Sequence, residues 1–405
     1  MTAQPKIPDF PFPPSLVPYD PGPELRELMA KCPVNKVRLP NDSTAWLVTG
    51  FKETREVMAD QRYSRALVSA PGRPMYGVEA SLANGMVAMD PPEHTRLRKL
   101  VAGAFAEKRI RAMRPHIAKT VDDLIDTMLA GPRPVDLSHS FSLIISEKVM
   151  CTLLGVPAVD ADRFHTLSNV MFGEWGSSRD EIARAYASMG GYLAQLIIRK
   201  RRSPGDDLIS LLINARDPAD QLSDVELIKF CIGLLTAGHE TTVSAINMSL
   251  LVLCQHPGQL ARLRADPSLI PTAVEELLRY VIISGSGFVP LARVTREEVL
   301  LGRVTISAGE SVLPMFNVAN RDSTAFTHPD RLDIGRAPRN HLSFGAGAHH
   351  CLGAQLARTE LQEAFRGLLT RLPGLRVAVP ISALEFRTDQ AIVSMRELPV
   401  TWDVI

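Results

Sequence analysis

Cysteine is scarce in this chain and unpaired: Cys32, Cys151, Cys231, Cys254 and Cys351 are the only five in 405 residues, with no Cys-x-x-Cys pair among them. An odd, widely spaced set argues against both a disulfide framework and a zinc cage. A chain of that kind reads as reduced and cytoplasmic. An excess of either charge is also missing, the formal net charge being +1, which leaves no bulk attraction for nucleic acid or an anionic membrane. The proline-rich segment from Met1 to Pro23 holds no apolar run long enough for a signal peptide or membrane anchor. Internal repeats and low-complexity linkers are absent too. These absences lead to the expectation of a soluble protein that binds neither nucleic acid nor membrane; a monomer is also expected.

What is present is ordinary globular material, 45% hydrophobic and 22% charged, enough for a sizeable core. One domain over 1-405 is expected, with the Pro-rich 1-23 segment packed on or near it. Ala45 to Thr49 reads as a strand before Gly50, and a hairpin is expected over Arg303 to Leu313, turning at Ser307-Ala308-Gly309. From about Glu93 to Arg279 the apolar spacing is mostly helical, broken at Gly131-Pro132-Arg133-Pro134 and at Arg202 to Asp207. More strand-like sequence follows Val377. The class is therefore mainly α with small β-sheets. One helix stands apart: Ser223 and Glu226 form a capping box, and the pattern continues to Gln255 before His256-Pro257-Gly258 stops it. At ~1.5 Å per residue it spans roughly 50 Å, and its leucines lie on more than one face, so much of it must be buried.

Four segments carry chemistry. Phe344 to Gly353 wraps Cys351 in glycines (Gly345, Gly347, Gly353) and runs into a helix over Leu352 to Leu372. Glycines allow dihedrals and close approaches that aim peptide N–H groups at a sulfur. A helix N-terminus favours the thiolate, as nucleophile or as metal ligand. Within the long helix, Ala237-Gly238-His239-Glu240-Thr241-Thr242 places a glycine and a carboxylate in apolar surroundings, where both are costly. Glu240 and Thr241 suit inward proton transfer, and Gly238 would let a ligand approach the backbone. A surface-facing Glu beside a Thr bonded to its own i−4 carbonyl is the plainer alternative. Glu276 and Arg279 sit three apart on one helix, a spacing that a solvated pair also adopts. His94 and Arg98 are one turn apart and face the same way, able to hold a carboxylate, although an ordinary surface pair has the same spacing.

Together and in this order, the segments resemble the cytochrome P450 superfamily, specifically its soluble bacterial members, over nearly the full chain. Phe344, Gly347, Cys351 and Gly353 match Phe-x-x-Gly-x-x-x-Cys-x-Gly. Ala237, Gly238, Glu240 and Thr241 match Ala/Gly-Gly-x-Asp/Glu-Thr, and Glu276 and Arg279 match Glu-x-x-Arg. The resemblance implies the cytochrome P450 fold, with a long central helix over a heme b whose iron takes the Cys351 thiolate. It implies that His94, Arg98, Arg293 and His349 partner the two heme propionates, and that Phe344, Gly345 and Gly353 complete the cysteine loop at the heme. Glu276, Arg279 and Arg331 would form a structural triad behind that loop. Thr241 and Glu240 would deliver protons, with Gly238 leaving room for dioxygen. His350, at the variable position before the cysteine, receives no role, and Leu332 stands where the family often has Phe.

The implied activity is a heme-thiolate monooxygenase inserting one oxygen atom from O2 into a lipophilic small molecule. Electrons would come from NAD(P)H through a separate ferredoxin and ferredoxin reductase, because no flavin or iron–sulfur segment is fused here. Lys108, Arg109, Arg111 and Arg114 are a candidate ferredoxin patch, and a solvated face fits them equally. By family topology the pocket would draw on Ser64 to Met89, Phe164 to Tyr192, Ile282 to Leu291 and Ala391-Ile392-Val393. Small residues Ser284, Gly285, Ser286 and Gly287 beside Phe288 suggest a roomy apolar cavity for a secondary-metabolite intermediate of polyketide, macrolide or terpenoid type. Two alternatives share the signature: a peroxide-driven heme-thiolate enzyme, which usually lacks the Glu-Thr pair, and a non-catalytic heme or ligand-binding protein.

Overall fold

The longest helix is fixed at both ends by its own sequence. At its start the Glu226 N–H donates to Ser223 Oγ at 3.2 Å while the Ser223 N–H donates to the Glu226 carboxylate at 2.8 Å, the reciprocal capping box. At its end His256 is the C-cap and Pro257 opens the next helix, a residue that suits a helix start and prevents continuation. From Thr242 to Leu253 every residue is buried, so neighbours cover this half on all sides. Each fully buried leucine or isoleucine here contributes roughly 1.5–3 kcal/mol relative to exposure.

The computed structural model describes residues 7–13, 15, 17, 19–70, 85–171, 178–214, 222–283, 292–337, 341–388 and 392–404. Among them the α-helices are α1 (Pro23–Lys31), α2 (Phe51–Ala59), α3 (Glu93–Ala102), α4 (Glu107–Ala130), α5 (Leu143–Leu154), α6 (Ala161–Met171), α7 (Arg179–Arg202), α8 (Leu208–Ile213), α9 (Asp224–Gln255), α10 (Pro257–Ala265), α11 (Ile270–Tyr280), α12 (Phe316–Ala319) and α13 (Ala354–Arg371). The strands are short: β1 (Val34–Arg38), β2 (Thr44–Val48), β3 (Tyr63–Ser64), β4 (Val135–Asp136), β5 (Arg293–Thr295), β6 (Val299–Leu301), β7 (Val304–Ile306), β8 (Ser311–Pro314), β9 (Arg376–Val377), β10 (Phe386–Arg387), β11 (Ser394–Met395) and β12 (Pro399–Thr401). A mainly α chain with small sheets is what the sequence pattern calls for.

The largest sheet has the order β1-β2-β8-β5-β3, antiparallel except for β2 beside β8, and Val34 faces Val48 across the first pair. The hairpin expected over Arg303 to Leu313 does not form. Its turn is real, with Gly309 at φ +81°, but it sends the chain between two sheets: β7 pairs with β6, whereas β8 pairs with β5 and β2. Around Phe10 the N-terminal segment lies on β1, where the Phe10 N–H donates to Arg38 O at 2.7 Å.

One apolar core surrounds α9 and includes Phe141, Ile145, Leu193, Leu277, Phe365 and Leu368. Smaller clusters lie under the five-stranded sheet. Helix α9 packs on α5, α7 and α13, while α13 also lies along α4 and against α11. The loop before α13 is thereby held close to α11, and its turn at Gly347–His349 rests on α2.

Candidate active site

The cysteine loop is folded by backbone bonds that its glycines permit. Gly345 and Gly347 have φ of +72° and +69°, values that L side chains rarely adopt. At Gly347 a Cβ would also fall 2.5 Å from Ala59 Cα and 2.7 Å from Met58 O, so only glycine lets the loop touch α2. The Gly345 N–H then donates to Leu342 O at 2.8 Å and the Cys351 N–H to Phe344 O at 2.8 Å. Gly353 departs from the expectation. Its φ is −85° as N-cap of α13 and no heavy atom lies within 4 Å of its Cβ position, so its smallness leaves open space and eases no strain.

Cys351 also corrects a simple view of the helix N-terminus. Burial pushes its thiol pKa up, and the Gly353 N–H with the charges of Arg98 and Arg358 pulls back only part of the way. A free nucleophile needs a lowered pKa, whereas a metal ion ionises a coordinating thiol outright. Despite these dense surroundings the residue presents open surface. Ala237, in the middle of α9, is likewise exposed. A thiol facing interior space suits a ligand to a bound group.

Beside the loop, donors for an anion converge. His94 of α3 and His349 lie with ring centroids 4.1 Å apart, and Arg293 is 1% exposed. Burial and the charges of Arg293, His94 and Arg65 drive His349 down to about 3. His94 is lowered by burial and by Arg98 and Arg293 against the opposing pull of Asp90. This gathering of buried cationic and donor groups suits added negative charge, and two propionates match it. Arg98 donates to His350 O at 2.6 Å, joining α3 to the residue before the cysteine. A cleft of about 380 Å³ reaches Arg293 and His349 past Tyr63, Asp90 and Arg296.

On α9, Thr241 Oγ1 donates to Ala237 O at 2.7 Å, the plain i−4 bond, which still leaves the hydroxyl oxygen able to accept. Glu240 is not a surface residue: burial pushes it up to about 7 against the pull of the Arg387 charge. The Cβ position of Gly238 faces α5, 3.3 Å from Met150 Sδ, so this glycine serves the close approach of two helices. His239 is buried on the same side, where Ser146 Oγ donates to its carbonyl at 3.3 Å and burial drives the ring down to about 4.

Behind the loop, Arg279 grips Glu276 with Nε at 2.7 Å and Nη2 at 2.9 Å. The third member is Arg336, whose Nε lies 3.0 Å from Glu276; Arg331 is exposed and its described bonds run through its backbone. Arg279 also donates to Asn320 O at 2.8 Å, and Asn320 bonds Leu342 N–H and Ser343 Oγ at 2.7 and 2.9 Å. The network thus fixes where the cysteine loop begins.

The sequence left several residues here unassigned. Arg65 is buried and donates to Ala292 O at 2.6 Å, while Glu275 binds Arg358; partners 227 and 83 residues away leave no local signal. In the suggested docking patch, Arg109 pairs with Asp206, Arg111 with Glu107 and Arg114 with Glu363, so much of its charge is neutralised. Of the expected pocket walls, Ser284 to Leu291, Ala391 and parts of the two earlier segments lie outside the described residues. Val393 O accepts Ser244 Oγ at 2.6 Å, one turn beyond Glu240.

A family model described as Cytochrome P450 matches residues 43–373. Nocardicin C N-oxygenase of Nocardia uniformis subsp. tsuyamanensis is 44% identical over 389 residues, 95% of this chain and 96% of that protein. Mycinamicin IV hydroxylase/epoxidase of Micromonospora griseorubida is 41% identical, with 93% and 94% covered. Among solved structures, a cytochrome P450 hydroxylase from the leinamycin biosynthetic pathway of Streptomyces atroolivaceus superposes with a TM-score of 0.91 at 39% identity, covering 98% of this chain and 100% of that one.

Proposed function

The chain belongs to the cytochrome P450 family, and from that premise we propose that it inserts one oxygen atom of O2 into a lipophilic secondary-metabolite intermediate. It is a heme-thiolate monooxygenase by family, with heme b as cofactor. Heme ligated by a thiolate supplies the oxygen chemistry, because the sulfur pushes electron density toward iron and favours O–O cleavage. Cys351 would hold the iron, His94, Arg98, Arg293 and His349 the propionates, and Phe344, Gly345 and Gly353 would complete the bed of the loop.

The observation that carries the oxygenase reading is Glu240, pushed up to about 7 beside Thr241. A carboxyl poised at that value gives and regains a proton at neutral pH. Thr241 Oγ1, pinned by Ala237 O, holds its oxygen at a fixed point from which that proton can pass. A peroxide-driven enzyme usually lacks such a pair. Gly238 contributes by letting α5 close on α9.

Electrons reach the protein from NAD(P)H through a ferredoxin and its reductase. With Arg109, Arg111 and Arg114 paired, the docking face depends on how those pairs rearrange. Reversing the charge of Arg109 and Arg111 is expected to slow electron transfer and flatten its salt dependence; unchanged rates would refute the patch. The substrate class draws support from the relatives, whose names concern nocardicin, mycinamicin and pentalenic acid. The test is oxygenated product formed in step with NAD(P)H consumption when ferredoxin, reductase and O2 are supplied. Turnover with peroxide alone would favour the peroxide-driven alternative. Titration with macrolide, terpenoid and polyketide scaffolds should perturb the heme spectrum; a response to small acids alone would refute the substrate class.

A further inference from the structure

Neighbouring glutamates on α11 reach in different directions, and Glu275 has no part in the triad. Its Oε1 accepts from Arg358 Nε at 2.6 Å and its Oε2 from Arg358 Nη2 at 3.0 Å, the two-pronged fit of a carboxylate and a guanidinium. His341 Nε2 lies 3.2 Å from the same Oε2. Arg358, on α13, places Cζ 4.5 Å from the centroid of the Phe344 ring, well within cation–π range. The Phe344 carbonyl in turn accepts the Cys351 N–H at 2.8 Å. A carboxylate on one helix therefore holds a cation on another, the cation holds a ring, and that ring's backbone holds the cysteine.

We propose that Glu275 is a positioning residue for the cysteine loop, fixing Arg358 over Phe344 and offsetting its charge so that Cys351 senses a nearly neutral pair instead of a bare cation. The proposal rests on Cys351 as the heme ligand. Glu275 is held as the carboxylate: burial alone would raise it, but hydrogen bonds from His341 and Arg358 and the Arg358 charge bring it down to about 2. Arg358 lies in the first turns of the helix that follows Cys351, with its guanidinium over the ring of the residue whose carbonyl accepts the Cys351 N–H, which sets its charge against the cysteine loop. Without Glu275 that charge would act undiminished, drawing electron density from the sulfur and favouring the reduced heme. Without Arg358 the sign reverses.

The experiment is an equilibrium redox titration of the substrate-free holoenzyme as wild type, Glu275→Gln, Arg358→Met and the double variant. Glu275→Gln should raise the reduction equilibrium constant about tenfold, which is ~59 mV for one electron. Arg358→Met should lower it by a similar factor, and the double variant should return to within about threefold of wild type. A brace acting by shape alone would shift both single variants in the same direction; that result, or no shift in either, overturns the proposal. Glu275→Asp keeps the charge and should stay near the wild-type potential, and a shift as large as that of Glu275→Gln would also overturn it. The reduced, carbon monoxide-bound spectrum of each protein separates the two levels: loss of the thiolate-type band in the wild type would sink the Cys351 reading, whereas an intact band with unshifted potentials sinks only the role of Glu275.

Discussion

Arg331 and Arg336 are five residues apart and only the second reaches Glu276, so a pair of single substitutions separates their contributions. Besides its bond to Glu276, Arg336 donates to Thr327 O at 2.8 Å, His328 O at 3.2 Å and Arg331 O at 3.1 Å. Its side chain is 19% exposed and that of Glu276 1%. In Arg336→Met the carboxylate keeps Arg279 and the Asp333 N–H at 3.0 Å, so the cost falls short of the ~3–5 kcal/mol of leaving a buried ion alone. One charge-assisted hydrogen bond is worth about 1.5–3 kcal/mol and the freed carbonyls can turn to water, which gives an expected loss of about 2–3 kcal/mol. With an unfolding entropy of roughly 2.1 cal/mol/K per residue, the thermal midpoint of a 405-residue chain falls by about 3 °C. Arg331→Met, at an exposed side chain, should stay within about 0.5 kcal/mol. Parallel thermal unfolding of the two holo variants and the wild type reads the difference. Equal shifts, or a larger one for Arg331→Met, would refute the assignment of the triad.

Gly347→Ala combines a positive φ with a Cβ driven into the backbone of α2 and should cost more than about 2 kcal/mol, seen as poor heme incorporation; normal heme content and stability would contradict the packing described. Glu240 has its folded pKa raised to about 7, so the stability it contributes is full below its unfolded value of ~4.5 and is lost as pH rises through 7. Glu240→Gln should therefore gain stability relative to wild type between those values while losing coupled turnover, measured by unfolding and by product per NAD(P)H; a pH-independent stability difference would count against burial of the carboxyl. Glu275 has the opposite sign: its pKa is depressed to about 2, so its contribution is present above ~4.5 and lost as pH falls through 2. Glu275→Gln should flatten acid unfolding in that window, and an unchanged acid limb would rule out the strong ion pair.

Local rules made much of this protein legible. The Ser223-Glu226 box and Pro257 bound α9 because capping needs only residues within one turn. The glycines at 345 and 347 announced their turn because their backbone angles exclude other residues. Legibility ended where partners lie far apart in the chain. Arg331 and Arg336 sit in irregular backbone with no periodicity to choose between them, and Glu275 and Arg358 look like ordinary surface charges until α11 and α13 meet. Gly238 seemed to make room for a ligand, yet the direction of its Cβ, set by the roll of α9 against α5, aims it at Met150. The Cys351 thiol was expected to be lowered by the following helix, but the weight of burial against nearby charge emerges only from the packed structure.

The central claim is that Cys351 is the iron ligand. The reduced, carbon monoxide-bound absorption spectrum of the wild type and of Cys351→Ala tests it most directly. The account predicts the thiolate-type band in the wild type and its loss in the variant. A wild type lacking that band, or a variant that keeps it, would contradict the account.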